Sequence, residues 1–175
     1  MILKHSLLLA SFIFSGLLYS QANVTLTLPV VTLMDIEPAG NIILNFTAPT
    51  EAGNPLGNPT PNTSKWINYT SAITSGGLTR RITAAISGTT LIQGVNIRLQ
   101  AAAASGAGGG TLGTPSAQVT LTNTPITIIS GIGGAYTGNG ANNGHRLTIS
   151  LVPSTYANLS AQSNTALTIV YTITE

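Results

Sequence analysis

From residue 23 to residue 175 the chain alternates apolar and polar residues with a period of two, and no apolar stripe at helical spacing runs beyond two turns. Val24, Leu26 and Leu28 alternate with Asn23, Thr25 and Thr27, Pro29 interrupts, and Val31 and Leu33 continue the rhythm. Residues 41–48 place Ile42, Leu44 and Phe46 on one face, and residues 65–70 resume as a strand carrying Trp66 and Tyr69. Within residues 78–86, Ile82, Ala84 and Ile86 are expected to face inward, followed by Val95, Ile97 and Leu99 in residues 95–100. Residues 117–122 and 125–130 read as short strands. Residues 145–152 turn Leu147, Ile149 and Leu151 inward, a short piece follows at 154–160, and residues 165–174 close the chain with Leu167, Ile169, Tyr171 and Ile173 on one face. Three segments break the rhythm and are expected to be loops: 49–64, rich in Pro, Gly and Asn; 101–116, a run of Ala then Gly; and 131–144, ending in the turn pair Asn143-Gly144.

About nine short strands joined by turn-rich connections predict an all-β domain, a two-sheet antiparallel sandwich of immunoglobulin-like or jelly-roll type. No linker separates two cores, so residues 23–175 form a single domain. Threonine shapes its surface: a branched Cβ favours strand geometry, and the hydroxyl wets the outer face without charge. Flat, uncharged edges of this kind favour strand-to-strand association unless something covers them.

Residues 1–22 carry Lys4 and His5, then an apolar run from Leu7 to Tyr19, then Ser20 and Ala22. This is the pattern of a signal peptide cleaved after Ala22, or after Ser20, and it predicts a secreted or cell-surface protein. The apolar run is shorter than the roughly 20 residues of a bilayer span, and the mature chain has no other segment long enough to cross. With 0 Cys, the chain carries no lipid-attachment cysteine behind the leader, no disulfide, no thiol nucleophile and no cysteine metal ligand.

Composition narrows the functions further. Charged residues make up 6% of the chain, against about 25% in ordinary domains. The 6 Lys plus Arg are too few for a phosphate-binding patch, which argues against nucleic acid as a partner. Asp35 and Glu37, two apart, would share one face of a strand, but a divalent site wants more oxygen ligands and a glycosidase pair comes from separate strands. His145 is the one histidine after the leader and has no acid near it in sequence, and no G-x-S-x-G elbow is present. The glycine-rich stretches lack the Lys-Ser/Thr ending of a phosphate loop. No catalytic residue, metal site or cofactor is assigned, and the expectation is a protein without enzymatic activity. Arg80 and Arg81 must point to opposite faces, so one of them stands at a strand end or pairs with a scarce acid. Asn23, Asn45, Asn62, Asn68 and Asn158 head N-x-S/T triplets, which matter only in a host that glycosylates them.

Two binding surfaces remain. Trp66, Tyr69, Tyr136 and Tyr156 would form a glycan-binding or peptide-binding surface if they emerge together at one end of the sandwich; the alternative for Trp66 is to fill the core between the sheets. Val24, Leu26, Leu28, Val31 and Leu33 form a segment suited to pairing with a neighbouring chain.

The leader, the uncharged alternating strands and the closing L-T-I-V-Y-T-I-T of residues 167–174 resemble secreted fimbrial-type and spore-coat-U-like β-sandwich proteins of Gram-negative bacteria. In general style the chain also resembles exported sandwich proteins of Bacteroidetes. The fimbrial resemblance implies subunits that join by donating a strand, with residues 23–33 as the donated segment. Two functions follow: a structural subunit of a surface filament or coat, with other copies as partners, or a binding module for a glycan or surface protein in cell adhesion.

Overall fold

The computed structural model describes residues 23–88, 92–163 and 165–175; the leader of residues 1–22 lies outside the described residues. Nine strands follow in order: β1 (Val31–Glu37), β2 (Asn62–Ala72), β3 (Arg80–Ser87), β4 (Val95–Ser105), β5 (Gly109–Pro115), β6 (Val119–Thr120), β7 (Ile126–Tyr136), β8 (Gly144–Pro153) and β9 (Thr168–Thr174). Every pairing is antiparallel, as an alternating sequence with short connections favours.

The hydrogen-bonded path runs β6-β4-β8-β2-β7-β3-β9, with β1 added to β2 and β5 added to β7. Strand β2 joins the two groups. One of its edges carries β1 from Trp66 to Ala72, while the other is shared, first by β8 at Asn62–Ile67 and then by β7 at Thr70 and Ser71. Beyond that hand-over the β6-β4-β8 and β5-β7-β3-β9 groups diverge, giving the antiparallel β-sandwich that the alternation predicts. Its core draws Ile67 from β2, Ile82 from β3, Leu99 from β4, Ile129 and Ile132 from β7 and Leu147 from β8, all fully buried. Each such side chain contributes roughly 1.5–3 kcal/mol of transfer free energy.

The inward rows expected of residues 82–86, 95–99 and 147–151 are found inside, with Val95 and Leu151 half-buried. Leu167, Ile169, Tyr171 and Ile173 are half-buried, while Thr168, Val170, Thr172 and Thr174 are exposed. Other expectations are corrected. Residues 101–105 continue β4 instead of opening a loop, because Ala101 is small enough to lie buried opposite Leu147. Residues 109–115 form β5 along β7, where a strand of Gly and Thr has too few apolar side chains to show a period. Residues 131–136 extend β7: a bulge between the Arg80–Ile132 and Ile82–Ile129 pairs shifts the alternation, and Ile132 re-enters the core in the new phase. Residues 41–48 keep the predicted facing, with Ile42, Leu44 and Phe46 half-buried and Ile43 exposed, yet among the described residues their only ladder contact is a bridge from Thr47 to Gly57. The expected strand at 117–122 shrinks to β6, and the piece at 154–160 contains a 3-10 turn, Tyr156–Asn158.

A buried cation ties the chain ends to the middle. The Arg80 guanidinium donates to the Val31 carbonyl (2.6 Å) and the Ser71 hydroxyl (2.9 Å), and lies 3.7 Å from the Glu175 carboxylate. Arg81 points outward, so the adjacent pair splits as the strand requires, and the inward member finds its acid. Arg80→Leu strips charged donors from a buried carbonyl and hydroxyl and is expected to cost about 2–3 kcal/mol, read as a lower urea midpoint at unchanged slope.

Candidate functional site

Strand parity sorts the aromatic candidates. In an antiparallel pair, directly opposed residues share a face. Glu37 opposes Trp66, Asp35 opposes Asn68 and Leu33 opposes Thr70, while Thr70 also opposes Tyr136 and Trp66 opposes Arg146. Trp66, Asn68, Thr70 and Tyr136 therefore lie on one face with Leu33, Asp35, Glu37 and Arg146. It is the outer face, because Ile67 and Tyr69, of opposite parity, are buried in the core. Trp66 is half-buried there, not packed between the sheets, and Tyr136 is 56% exposed.

Tyr69 and Tyr156 stand elsewhere. The Tyr69 hydroxyl points inward, donating to the Leu112 carbonyl and lying 3.1 Å from His145 Nε2, with the two rings stacked at 5.9 Å. Burial pushes the Tyr69 hydroxyl well above its ordinary value of 10.0, and Tyr171 is raised for the same reason. Both stay protonated across the physiological range, and the stability they lend is complete below pH 10.0 and falls only above it. Tyr156 sits on the 3-10 turn, where its hydroxyl accepts from the Leu56 N–H at 2.9 Å and pins the proline-rich loop. The four aromatic residues thus divide into an outer pair, an inner anchor and a loop clasp.

His145 is fully buried between Ala102 O (2.8 Å from Nδ1) and Leu112 O (3.1 Å from Nε2). It works as a polar rivet joining β8, β4, β5 and β2. Among the described residues no three of His, Asp or Glu stand together as a metal site.

Beside the outer face lies a cleft of ≈ 390 Å³ whose lining includes Leu33, Asp35, Asn68, Tyr136 and Asn139. Its floor is β1, β2 and the end of β7, and its wall is the loop of residues 137–143. Thr137, fully buried, fixes that wall: its N–H donates to the Tyr69 carbonyl (3.0 Å), and its hydroxyl accepts from the Tyr69 N–H (2.9 Å). Asn143 continues the bracing, accepting from the Ala107 N–H at 2.9 Å and donating to the Asn139 carbonyl at 2.7 Å. Beneath the wall, Asn68 donates to the Asn143 carbonyl (2.7 Å), while its own Oδ1 is buried with no partner among the described residues. Opposite, the Tyr136 ring rests on Gly109, where an added Cβ would come within 3.2 Å of Cε1.

Trp66 and Tyr136 are among the aromatic residues that the sequence alone nominates. Asn68 carries no such signal, because nothing in a run of Asn, Tyr and Thr marks which amide becomes buried. The first three members of the predicted assembly segment also take distinct places from the last two. Val24, Leu26 and Leu28 are 87%, 85% and 81% exposed on a stretch outside any strand, whereas Val31 and Leu33 belong to β1 and pair within the chain.

Compared with family models, curated proteins and solved structures, the chain matches none. What is established at the level of class is a generic all-β sandwich whose described residues include no helix long and apolar enough to cross a membrane.

Proposed function

We propose that the chain is an exported, non-catalytic structural subunit that assembles with copies of itself by β-strand addition. The observation that carries this reading is the state of residues 23–30. They lie outside every ladder among the described residues and are exposed throughout, so that Val24, Leu26, Leu28 and Val30, at alternate positions in the sequence, all meet solvent. Four apolar side chains in one row are costly to leave in water, and a strand pairing buries them while satisfying their backbone. Pro29 interrupts the segment between Leu28 and Val30, just ahead of β1, because it has no N–H to continue a ladder.

The acceptor in this reading is β9. Among the described residues it pairs with β3 alone, so one edge of seven residues is open. Its core-facing row of Ile169, Tyr171 and Ile173 is half-buried, leaving an apolar flank that a further strand would close. The open edge of β1 suits the role less well, because Asp35 and Glu37 lie along it and charges discourage edge pairing. Export rests on the leader pattern of residues 1–22, and the fimbrial-type resemblance supports the same mode of assembly.

Light scattering across a concentration series tests the reading. The purified protein is expected to form species larger than one chain, shifting to longer assemblies as concentration rises. A single mass of 17.9 kDa or of the leader-free chain at every concentration contradicts it.

A further inference from the structure

We infer that Asn139 is a site of spontaneous covalent modification. Its side-chain amide closes onto the Gly140 nitrogen and hydrolyses to aspartate and isoaspartate, while the fold protects the chemically equivalent pair Asn143-Gly144. This inference stands independently of assembly.

The chain contains two Asn-Gly pairs, one inside the loop of residues 137–143 and one at its end. Glycine after asparagine suits this reaction, because no Cβ shields its backbone nitrogen or restricts the torsions that bring it to the side-chain carbon. The Gly140 nitrogen, once hydroxide has taken its proton, attacks Cγ of Asn139. The new N–Cγ bond closes a succinimide ring, the Cγ–Nδ2 bond breaks, and Nδ2 takes a proton from water and leaves as ammonia. A second water then opens the ring. Attack at one carbonyl gives aspartate; attack at the other gives isoaspartate, in which the chain runs through Cβ and Cγ.

Asn139 is placed to follow this path. It is exposed, and among the described residues its only hydrogen bond is through its backbone carbonyl, which accepts from the Asn143 side chain. The Gly140 N–H donates to none of those residues. Gly138 and Gly140 flank Asn139 at φ +81 and +83, and a Cβ added to Gly140 would meet nothing within 4 Å, so the attacking nitrogen has room to turn.

Asn143 has the same neighbour in opposite surroundings. Its Oδ1 accepts from the Ala107 N–H at 2.9 Å and its Nδ2 donates to the Asn139 carbonyl at 2.7 Å, so swinging Cγ toward Gly144 breaks both bonds. Gly144 is buried opposite Ser105, and an added Cβ there would stand 2.1 Å from the Ile67 carbonyl oxygen, so its nitrogen has no room to approach. Two hydrogen bonds broken before the attack slow it at least tenfold. At residue 139 the product carboxylate joins Asp35 in the lining of the cleft and adds a negative charge to a wall that has none.

The purified protein is held folded at mildly alkaline pH, sampled over weeks, separated by ion exchange and mapped by peptide fragmentation, with isoaspartate labelled by its methyltransferase. A more acidic species is expected to accumulate with the change at residue 139 and with isoaspartate in it, while Asn143 reacts at least tenfold more slowly. In urea, where the bonds around Asn143 are gone, the two residues are expected to react at similar rates. Asn139→Gln is expected to remove the acidic species from the folded sample. A folded protein that stays unmodified overturns the inference, as does modification that begins at Asn143 or runs equally at both. So does an Asn143 that stays slow in urea, since the fold would then not be what protects it.

Discussion

Replacing Val24, Leu26 and Leu28 together by Ser leaves a folded chain that no longer assembles. The three side chains lie on residues outside every strand and are 81–87% exposed, so the substitutions remove little from the fold. In a strand-exchanged assembly the same side chains lie against the flank of β9, and each buried aliphatic group contributes roughly 1.5–3 kcal/mol. Losing about 4 kcal/mol of that contribution weakens each junction about a thousandfold. The expected readout is a monomer by light scattering at concentrations where the parent chain assembles, with the same thermal unfolding midpoint as the parent monomer. If the triple variant assembles as the parent does, the segment is not the donor.

Gly144→Ala is expected to unfold the protein or leave it severely destabilised. Gly144 begins β8, is buried, and has φ +76, in the left-handed region that side chains resist. A Cβ there would stand 2.1 Å from the Ile67 carbonyl oxygen and 3.2 Å from Asn68 Nδ2. The crowded atom is backbone of β2, the strand on which both sheet groups depend, so relief requires moving the centre of the sandwich. Backbone strain and overpacking together predict a loss of about 4 kcal/mol, a large part of a domain's stability. Urea unfolding monitored by Trp66 fluorescence gives the value. Asn at this position relaxes the φ penalty alone and is expected to remain nearly as damaging, because the contact with Ile67 persists. A variant with Ala at 144 and a near-parental midpoint would mean that the β2–β8 crossing is looser than the geometry implies.

The inward rows of β3, β4 and β8 are readable from sequence because Ile, Leu and Val, with Ala84 in β3, alternate there with polar residues, whereas the turn expected at Asn143-Gly144 falls earlier, at Ala141-Asn142, and Gly144 opens β8. The Gly and Ala strands were not: in residues 101–115 the side chains are too small to mark a face, and pairing is decided by partners far along the chain. The bulge in β7 erased its second half in the same way, since one extra residue reverses which positions face inward. The site was legible in part. Exposed aromatic residues could be nominated, but Tyr69 looked equivalent to Trp66 and Tyr136 until register put it on the opposite face. Asn68 becomes a candidate only through burial beneath the 137–143 loop, a property of tertiary structure without a local sequence signal.

Alternate amides of β9 point away from β3, and in an isolated chain they meet water. Hydrogen exchange on the assembled protein, set against the same protein diluted to monomer, reads those amides directly. Slowed exchange on assembly is expected at the outward amides of residues 168–174 and, with them, at residues 24–28. Assembled material in which both stretches exchange as fast as in the monomer would contradict strand addition at β9.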